Sequence, residues 1–240
     1  ARAGIKAHIF APAGAPAAKL RQIEAYGAQV HVIEGSRDGV TAAAVAYHTE
    51  HNLVYASHAL SPYFLEGTKT FAYEVVRQLP QERDFPQHIL FPVGNGSLII
   101  GTWKGLKELR DAGRIERLPR LHCVQAQAVM PIVAAYRGEV WRPDAAATTV
   151  AGGIAVGAPA RQQQVVEALR STDGAAVAVH DSDILRWREQ LAIKEGVLAE
   201  ATSAAAFAGL ELLVKQGVIA PDDAVLVPIT GSGLKDGATV

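Results

Sequence analysis

Residues 88–109 read HILFPVGNGSLIIGTWKGLKEL, and the fold turns on how this stretch is taken. A short apolar run, Ile89-Leu90-Phe91, is closed by Pro92, and Gly94-Asn95-Gly96-Ser97 follows. Leu98, Ile99, Thr102, Trp103, Leu106 and Leu109 then recur at the three- and four-residue spacing of one helix face. The order is strand, glycine loop, helix. Unpaired amides of a helix N-terminus and about half a positive charge of macrodipole meet in such a loop, which suits an anion. Glycines let the backbone come close to phosphate oxygens. A plain strand-to-helix turn at positive φ asks for the same residues, so the loop alone does not separate the two readings. No Gly-Lys-Ser/Thr follows, which excludes a Walker A loop. Ser97-Leu98-Ile99 stands where a dinucleotide fingerprint needs its third glycine. With no lysine or arginine in the loop, a phosphate would be held by amides and hydroxyls alone. That suits a cofactor phosphate kept in place better than one that is transferred.

Outward from this stretch, strand-like and helix-like segments alternate. Strands are expected over 5–10, 30–33, 53–56, 89–93, 121–125, 175–180 and 224–227. Helices are expected over 15–26, 40–51, 64–79, 98–112, 184–195 and 203–216. Gly27 reads as a helix stop, and Ala1-Arg2-Ala3-Gly4 as the end of a helix running into a strand. Strands separated by helices of 10–15 residues predict βαβ units, hence an α/β fold with mostly parallel sheets flanked by helices. The rhythm breaks at residues 57–62, SHALSP. A smaller α/β domain over 1–58 and a larger one over 59–240 follow from that break.

The 240 residues suffice for one large or two small domains with filled cores. Apolar residues make up 49% and charged ones 20%, a globular composition. The net charge of −1, from 23 basic and 24 acidic side chains, leaves no electrostatic footprint for nucleic acid or an anionic membrane. No apolar run approaches the ~20 residues of a membrane span. The start, ARAGIKAHIF, shows neither an initiator Met nor a signal-peptide core. A single cysteine, Cys123, fits the reducing cytoplasm and reads as a buried, inert thiol.

A second loop, VLVPITGSGLKDG over 225–237, again runs an apolar strand into glycines, Thr230-Gly231-Ser232-Gly233. With the first loop it carries a resemblance to the pyridoxal-phosphate enzymes of fold type II, the tryptophan-synthase-β-like fold, and within them to the threonine synthases. The resemblance also rests on FLEGTKTFAYEVVRQL from Phe64, GIAVGAPAR from Gly153 and LAIKEGVLAEATSAAAFAGLELL from Leu191, which stand in the family's order. It implies the cofactor pyridoxal 5'-phosphate, with Gly94, Asn95, Gly96 and Ser97 as its phosphate cup. Thr230, rather than Ser232, would lie against the pyridine nitrogen. It further implies a small amino-acid substrate, O-phosphohomoserine, turned with water into threonine and phosphate by a cytoplasmic, homodimeric parent enzyme of the lyase class. The family's Schiff-base lysine sits in a Ser-Phe-Lys-Asp-Arg-Gly-like segment, which has no counterpart here. Lys6, Lys19, Lys69, Lys104, Lys107, Lys194 and Lys215 match non-catalytic segments, and Lys235-Asp236 belongs to the carboxy-terminal motif. The chain thus resembles the C-terminal two-thirds of such an enzyme, truncated at the N-terminus and inactive by itself. Two alternatives stand beside it. One is another lyase of the same fold (a threonine or serine dehydratase or a β-replacement enzyme); the other is a non-catalytic protein that keeps only the phosphate site.

The other candidates are weaker. His48 and His51 sit three apart on a helix end without a third metal ligand in view. Asp181-Ser182-Asp183 reads as a helix cap rather than a catalytic carboxylate pair. Glu195-Gly196 and Thr202-Ser203 match a family segment near the cofactor ring, and Arg161 follows Gly-Ala-Pro on a loop as a surface arginine.

Overall fold

In a computed structural model of the protein, residues 1–35, 37–58, 61–79, 85–142, 144 and 147–235 are described. Ala59 and Leu60 of the domain break, and Asp236 of the carboxy-terminal motif, lie outside them. The chain forms two units, one comprising Ala1–Ser57 with residues 234 and 235, the other His58–Gly233.

In the first unit, β1 (His8–Pro12) pairs in parallel with β2 (Gln29–Ile33), with α1 (Ala17–Ala25) between them and α2 (Arg37–Glu50) after. Gly27 ends α1 at φ 81°, the left-handed stop that the sequence suggests. His31 stacks on Phe10 with ring centroids 4.5 Å apart, and Tyr47 of α2 lies against both.

The second unit holds a four-stranded parallel sheet in the order β5-β4-β3-β6. Its strands are β3 (His88–Pro92), β4 (Arg120–Ala126), β5 (Ala176–Val179) and β6 (Val225–Leu226). The helices are α3 (Pro62–Thr68), α4 (Thr70–Gln78), α5 (Ser97–Asp111), α6 (Pro131–Arg137), α7 (Gln162–Ser171), α8 (Asp181–Glu195) and α9 (Ala201–Lys215). A parallel sheet is covered on both faces, and the period-two alternation of its strands sorts the core into two layers. Ile89, Phe91, Leu121 and Cys123 pack with Ile99 and Leu106 of α5, Ile132 of α6 and Leu169 of α7. Leu90, Val124 and Val177 pack on the other face with Ile184 of α8 and Ala204 of α9. The Cys123 thiol is fully buried and burial pushes its pKa well up, so it is a core side chain and no nucleophile.

Three expectations are corrected. Residues 53–56 form no strand, and Val54 is 94% exposed, so this apolar run is not held in a sheet. The single helix over 64–79 is two, α3 and α4. The Ala72 amide donates to the Lys69 carbonyl three residues back, which tightens the turn there. That turn is drawn against α5 because Gly101 and Gly105 leave no side chain in the way: a Cβ on Gly105 would stand 2.7 Å from the Lys69 carbonyl oxygen. Asp181 is not a cap. It opens α8 behind His180, and its carboxylate accepts from the Thr149 hydroxyl at 2.6 Å and the Val150 amide at 2.9 Å.

At the amino-terminal end of the sheet a polar chain links β4 and β3 to the residues leading into β5 and β6. The Ala175 amide donates to His122 Nδ1 at 3.0 Å, so the His122 proton sits on Nε2 and donates to His88 Nδ1 at 2.9 Å. His88 Nε2–H in turn donates to Asp223, at 3.1 Å. Burial holds the His122 pKa down to about 3, helped by His88 and Arg120. Burial also lowers that of His88, against the pull of Asp223. A free imidazole titrates near ~6.5, so below that pH the unfolded chain takes a proton that folded His122 refuses. Stability from this site is full above pH ~6.5 and drains as pH falls toward 3. We expect the urea midpoint to drop between pH 7 and 5, and the drop to be smaller in His122→Gln, which does not titrate. A midpoint equally pH-dependent in both proteins would contradict this assignment.

Candidate functional site

The loops after β3 and β6 leave the carboxyl ends of neighbouring parallel strands, the place where open α/β sheets take their ligands. The first loop is braced from β4. The Val93 amide donates to the Val124 carbonyl at 2.9 Å. Gln125, fully buried, donates through Nε2 to the Val93 carbonyl at 3.1 Å. Its Oε1 accepts the Ile132 and Val133 amides, which satisfies the first turn of α6 as well.

Beyond Val93 the chain needs glycine. Gly96 sits at φ 84° as the residue before α5, and a Cβ on it would stand 2.3 Å from Val165 Cγ2. A Cβ on Gly94 would lie 3.0 Å from the Gly153 carbonyl oxygen. The Asn95 and Gly96 amides have no acceptor among the described residues, and the first turn of α5 carries no acidic side chain. Asn95 Nδ2 donates to His58 Nε2 at 3.1 Å, and the Ser97 hydroxyl reaches the His58 carbonyl only at 3.5 Å. Amides without an acceptor at the start of a 15-residue helix, with no carboxylate in its first turn, suit a phosphate dianion.

The second loop is held from α9. Ser203, fully buried, accepts the Thr230 amide at 2.9 Å and the Gly231 amide at 3.1 Å, and its oxygen lies 3.0 Å from Thr230 Oγ1. The Glu200 amide donates to the Gly231 carbonyl, and a Cβ on Gly231 would run into the Glu200 carboxylate at 2.2 Å. Ser232 forms an isolated antiparallel bridge with Ala199, while Thr230 is exposed above the buried Ser203. The neighbouring Thr202 accepts the Gly153 amide at 3.0 Å, and Gly153 is the residue that Gly94 abuts. Two adjacent hydroxyls of one helical turn therefore hold the second loop and the Gly153 segment that packs beside the first.

The five residues singled out by sequence, Gly94, Asn95, Gly96, Ser97 and Thr230, lie at this end of the sheet. His58 and Gly153, to which the sequence gives no role, complete the arrangement with Thr202 and Ser203, whose segment resembles one near the cofactor ring in the family. Two adjacent hydroxyls opening an alanine-rich buried helix are the signal that marks Thr202 and Ser203. Other candidates fall elsewhere. His48 and His51 close the end of α2 by bonding the Leu53 and Tyr47 carbonyls. Arg161, just before α7, bonds Gln164. Lys69 bridges Glu66 and Glu108, and Lys104 contacts the same two carboxylates. Those bonds raise both lysine pKa values, which keeps the amines charged and non-nucleophilic. Lys107 lies 3.3 Å over the Trp103 ring, and Lys215 pairs with Glu211.

Among proteins of known family, the chain matches the pyridoxal-phosphate dependent enzymes over residues 1–231. It is 36% identical over 239 residues to a threonine synthase of Methanocaldococcus jannaschii, covering 98% of this chain and 58% of that one. It is 35% identical over 237 residues to a threonine synthase of Mycobacterium tuberculosis, covering 98% and 63%. The chain thus spans about three-fifths of the length of these relatives. Maize serine racemase superposes with a TM-score of 0.78 at 19% identity, covering 97% of this chain and 67% of the other. A fungal L-serine ammonia-lyase from Rhizomucor miehei gives 0.77 at 22%, covering 96% and 71%. At those identities the two structures share the fold alone.

Gly96→Ala tests the loop directly. A non-glycine residue in the left-handed region costs ~1–2 kcal/mol, and the contact with Val165 adds to that. The unfolding free energy in urea should fall by at least ~1 kcal/mol. An unchanged value would mean that the loop relaxes freely and holds no fixed shape.

Proposed function

The chain belongs to the pyridoxal-phosphate dependent enzyme family, and from that premise we propose that it carries the cofactor site of a threonine synthase, which converts O-phosphohomoserine and water to threonine and phosphate. What supports the reading is that the Gly94–Ser97 loop and Thr230 follow neighbouring parallel strands at one end of the sheet, with Ser203 bonded to the Thr230 loop and Thr202 to Gly153, which packs beside Gly94. Relatives of that name, at 35–36% identity over 98% of the chain, support the reaction. The dehydratase and β-replacement readings have only fold-level likeness behind them.

Pyridoxal 5'-phosphate, when bound, supplies the electron sink that stabilises carbanions next to the amino group. The residues of this chain bind and orient it. The Asn95 and Gly96 amides, the first turn of α5 and the Ser97 hydroxyl hold the phosphate. The Thr230 hydroxyl meets the pyridine nitrogen as a neutral partner, so it fixes the ring without enforcing a ring proton, which a carboxylate would do. The lysine that carries the cofactor is not among the lysines of this chain. Lys69 and Lys104 are spoken for by Glu66 and Glu108. The reading includes a lyase acting in the cytoplasm on a small amino acid, as a homodimer. Among the described residues no helix is long and apolar enough to cross a membrane.

Three measurements check this reading. The whole enzyme should release phosphate from O-phosphohomoserine and not ammonia from serine or threonine; the reverse would move it to the dehydratases. Thr230→Val should lower turnover while changing cofactor retention by no more than about tenfold, the size of one neutral hydrogen bond. Borohydride reduction of this chain with pyridoxal 5'-phosphate, followed by peptide mass spectrometry, should find no single stoichiometric lysine adduct. Such an adduct on Lys69 or Lys104 would show that the catalytic lysine lies here.

A further inference from the structure

The hydroxyl of Ser203 is more than filler in a buried helix. An sp3 oxygen has two lone pairs, and here both are taken, by the Thr230 amide at 2.9 Å and the Gly231 amide at 3.1 Å. Its own proton then has one acceptor in reach, Thr230 Oγ1 at 3.0 Å. Thr230 Oγ1 accepts that bond, so its proton is left pointing away from Ser203. Thr230 is exposed while Ser203 is fully buried, so that proton is free for a ligand at the mouth of the site.

We infer that Ser203 is a positioning residue that fixes Thr230 as a hydrogen-bond donor toward a ring nitrogen, and so selects a ligand whose nitrogen is unprotonated. The inference rests on the cofactor reading above and deepens it by naming what sets the direction of the Thr230 hydroxyl. Without Ser203 the Thr230 hydroxyl would still be present, but it could rotate, and the two amides behind it would lose their acceptor. Thr202 serves as the internal comparison. It is next in sequence and also binds a loop amide, but its partner Gly153 lies on the phosphate side.

The test uses two probes that cannot form a covalent bond with lysine. One is pyridoxine 5'-phosphate; the other is its benzene analogue, with carbon in place of the ring nitrogen. The wild-type protein should bind the pyridine about 2- to 10-fold more tightly, the range of one neutral hydrogen bond. Ser203→Ala should bring that ratio close to one and leave affinity for the benzene analogue largely unchanged. Thr230→Val should do the same, and the double variant should lose no more than either single one, because the two hydroxyls act as one unit. Amide exchange provides a second readout that needs no ligand. Thr230 and Gly231 should exchange at least about tenfold faster in Ser203→Ala, with Gly153 unaffected, and Thr202→Val should show the converse. Should Ser203→Ala not fold, Thr230→Val decides alone: slow exchange at 230 and 231 must persist while the pyridine preference disappears.

A pyridine preference that survives Ser203→Ala, or losses that add in the double variant, would overturn the inference and leave the cofactor reading standing. Equal binding of both probes by the wild type would overturn it too, since Thr230 would then ignore the nitrogen. If the wild type bound neither probe, the cofactor reading itself would fall and the inference with it.

Discussion

A helix faced with alanine and glycine lies closer to a sheet than one faced with leucine, and the position of α9 is set by that constraint. Ala201, Ala204, Ala205 and Ala208 are buried on it, and a Cβ on Gly209 would overlap Val124 Cγ2 at 2.3 Å. Close approach gives up side-chain volume but brings the first turn of the helix up to the carboxyl ends of the strands. Thr202 and Ser203, being short, reach the Gly153, Thr230 and Gly231 amides only because the helix axis lies so near.

The rest of the site follows from where the strands end. β3 and β6 are parallel neighbours, so their outgoing loops open on the same side of the sheet. Gln125 pins Val93, the residue after β3, and glycines at 94 and 96 carry the chain into α5 without a side chain in the way. Division of labour results from chemistry at each end. Amides and a helix dipole suit a dianionic phosphate, and a hydroxyl held by a second hydroxyl suits a neutral heteroaromatic nitrogen. Neither half needs a charged side chain, in keeping with a loop that carries none.

Much of this can be read in residue order, because the relevant forces are local. The apolar run at 89–91 and the helical spacing after Ser97 place β3 and α5 within one or two residues, and Gly27 and Gly96 adopt the positive φ that glycine allows. What escapes is set by distant partners. The break at Lys69 depends on two glycines more than thirty residues later. Asp181 looks like a cap until Thr149 and Val150 are seen to claim its oxygens. Residues 53–56 have strand composition yet pair with no strand among the described residues. The resemblance places Ser203 near the cofactor ring, but only the fold shows that its oxygen serves two amides from a loop 27 and 28 residues away.

In the proposed cofactor site, the loop at Gly94–Ser97 and the loop at Thr230 hold one and the same ligand. The most direct measurement is an amide NMR titration of the 15N-labelled protein with pyridoxine 5'-phosphate. Asn95, Gly96 and Ser97 should shift together with Thr230 and Gly231, all along one saturation curve. Shifts at 95–97 with 230 and 231 unmoved, or shifts confined to surface segments such as residues 161–164, would contradict it.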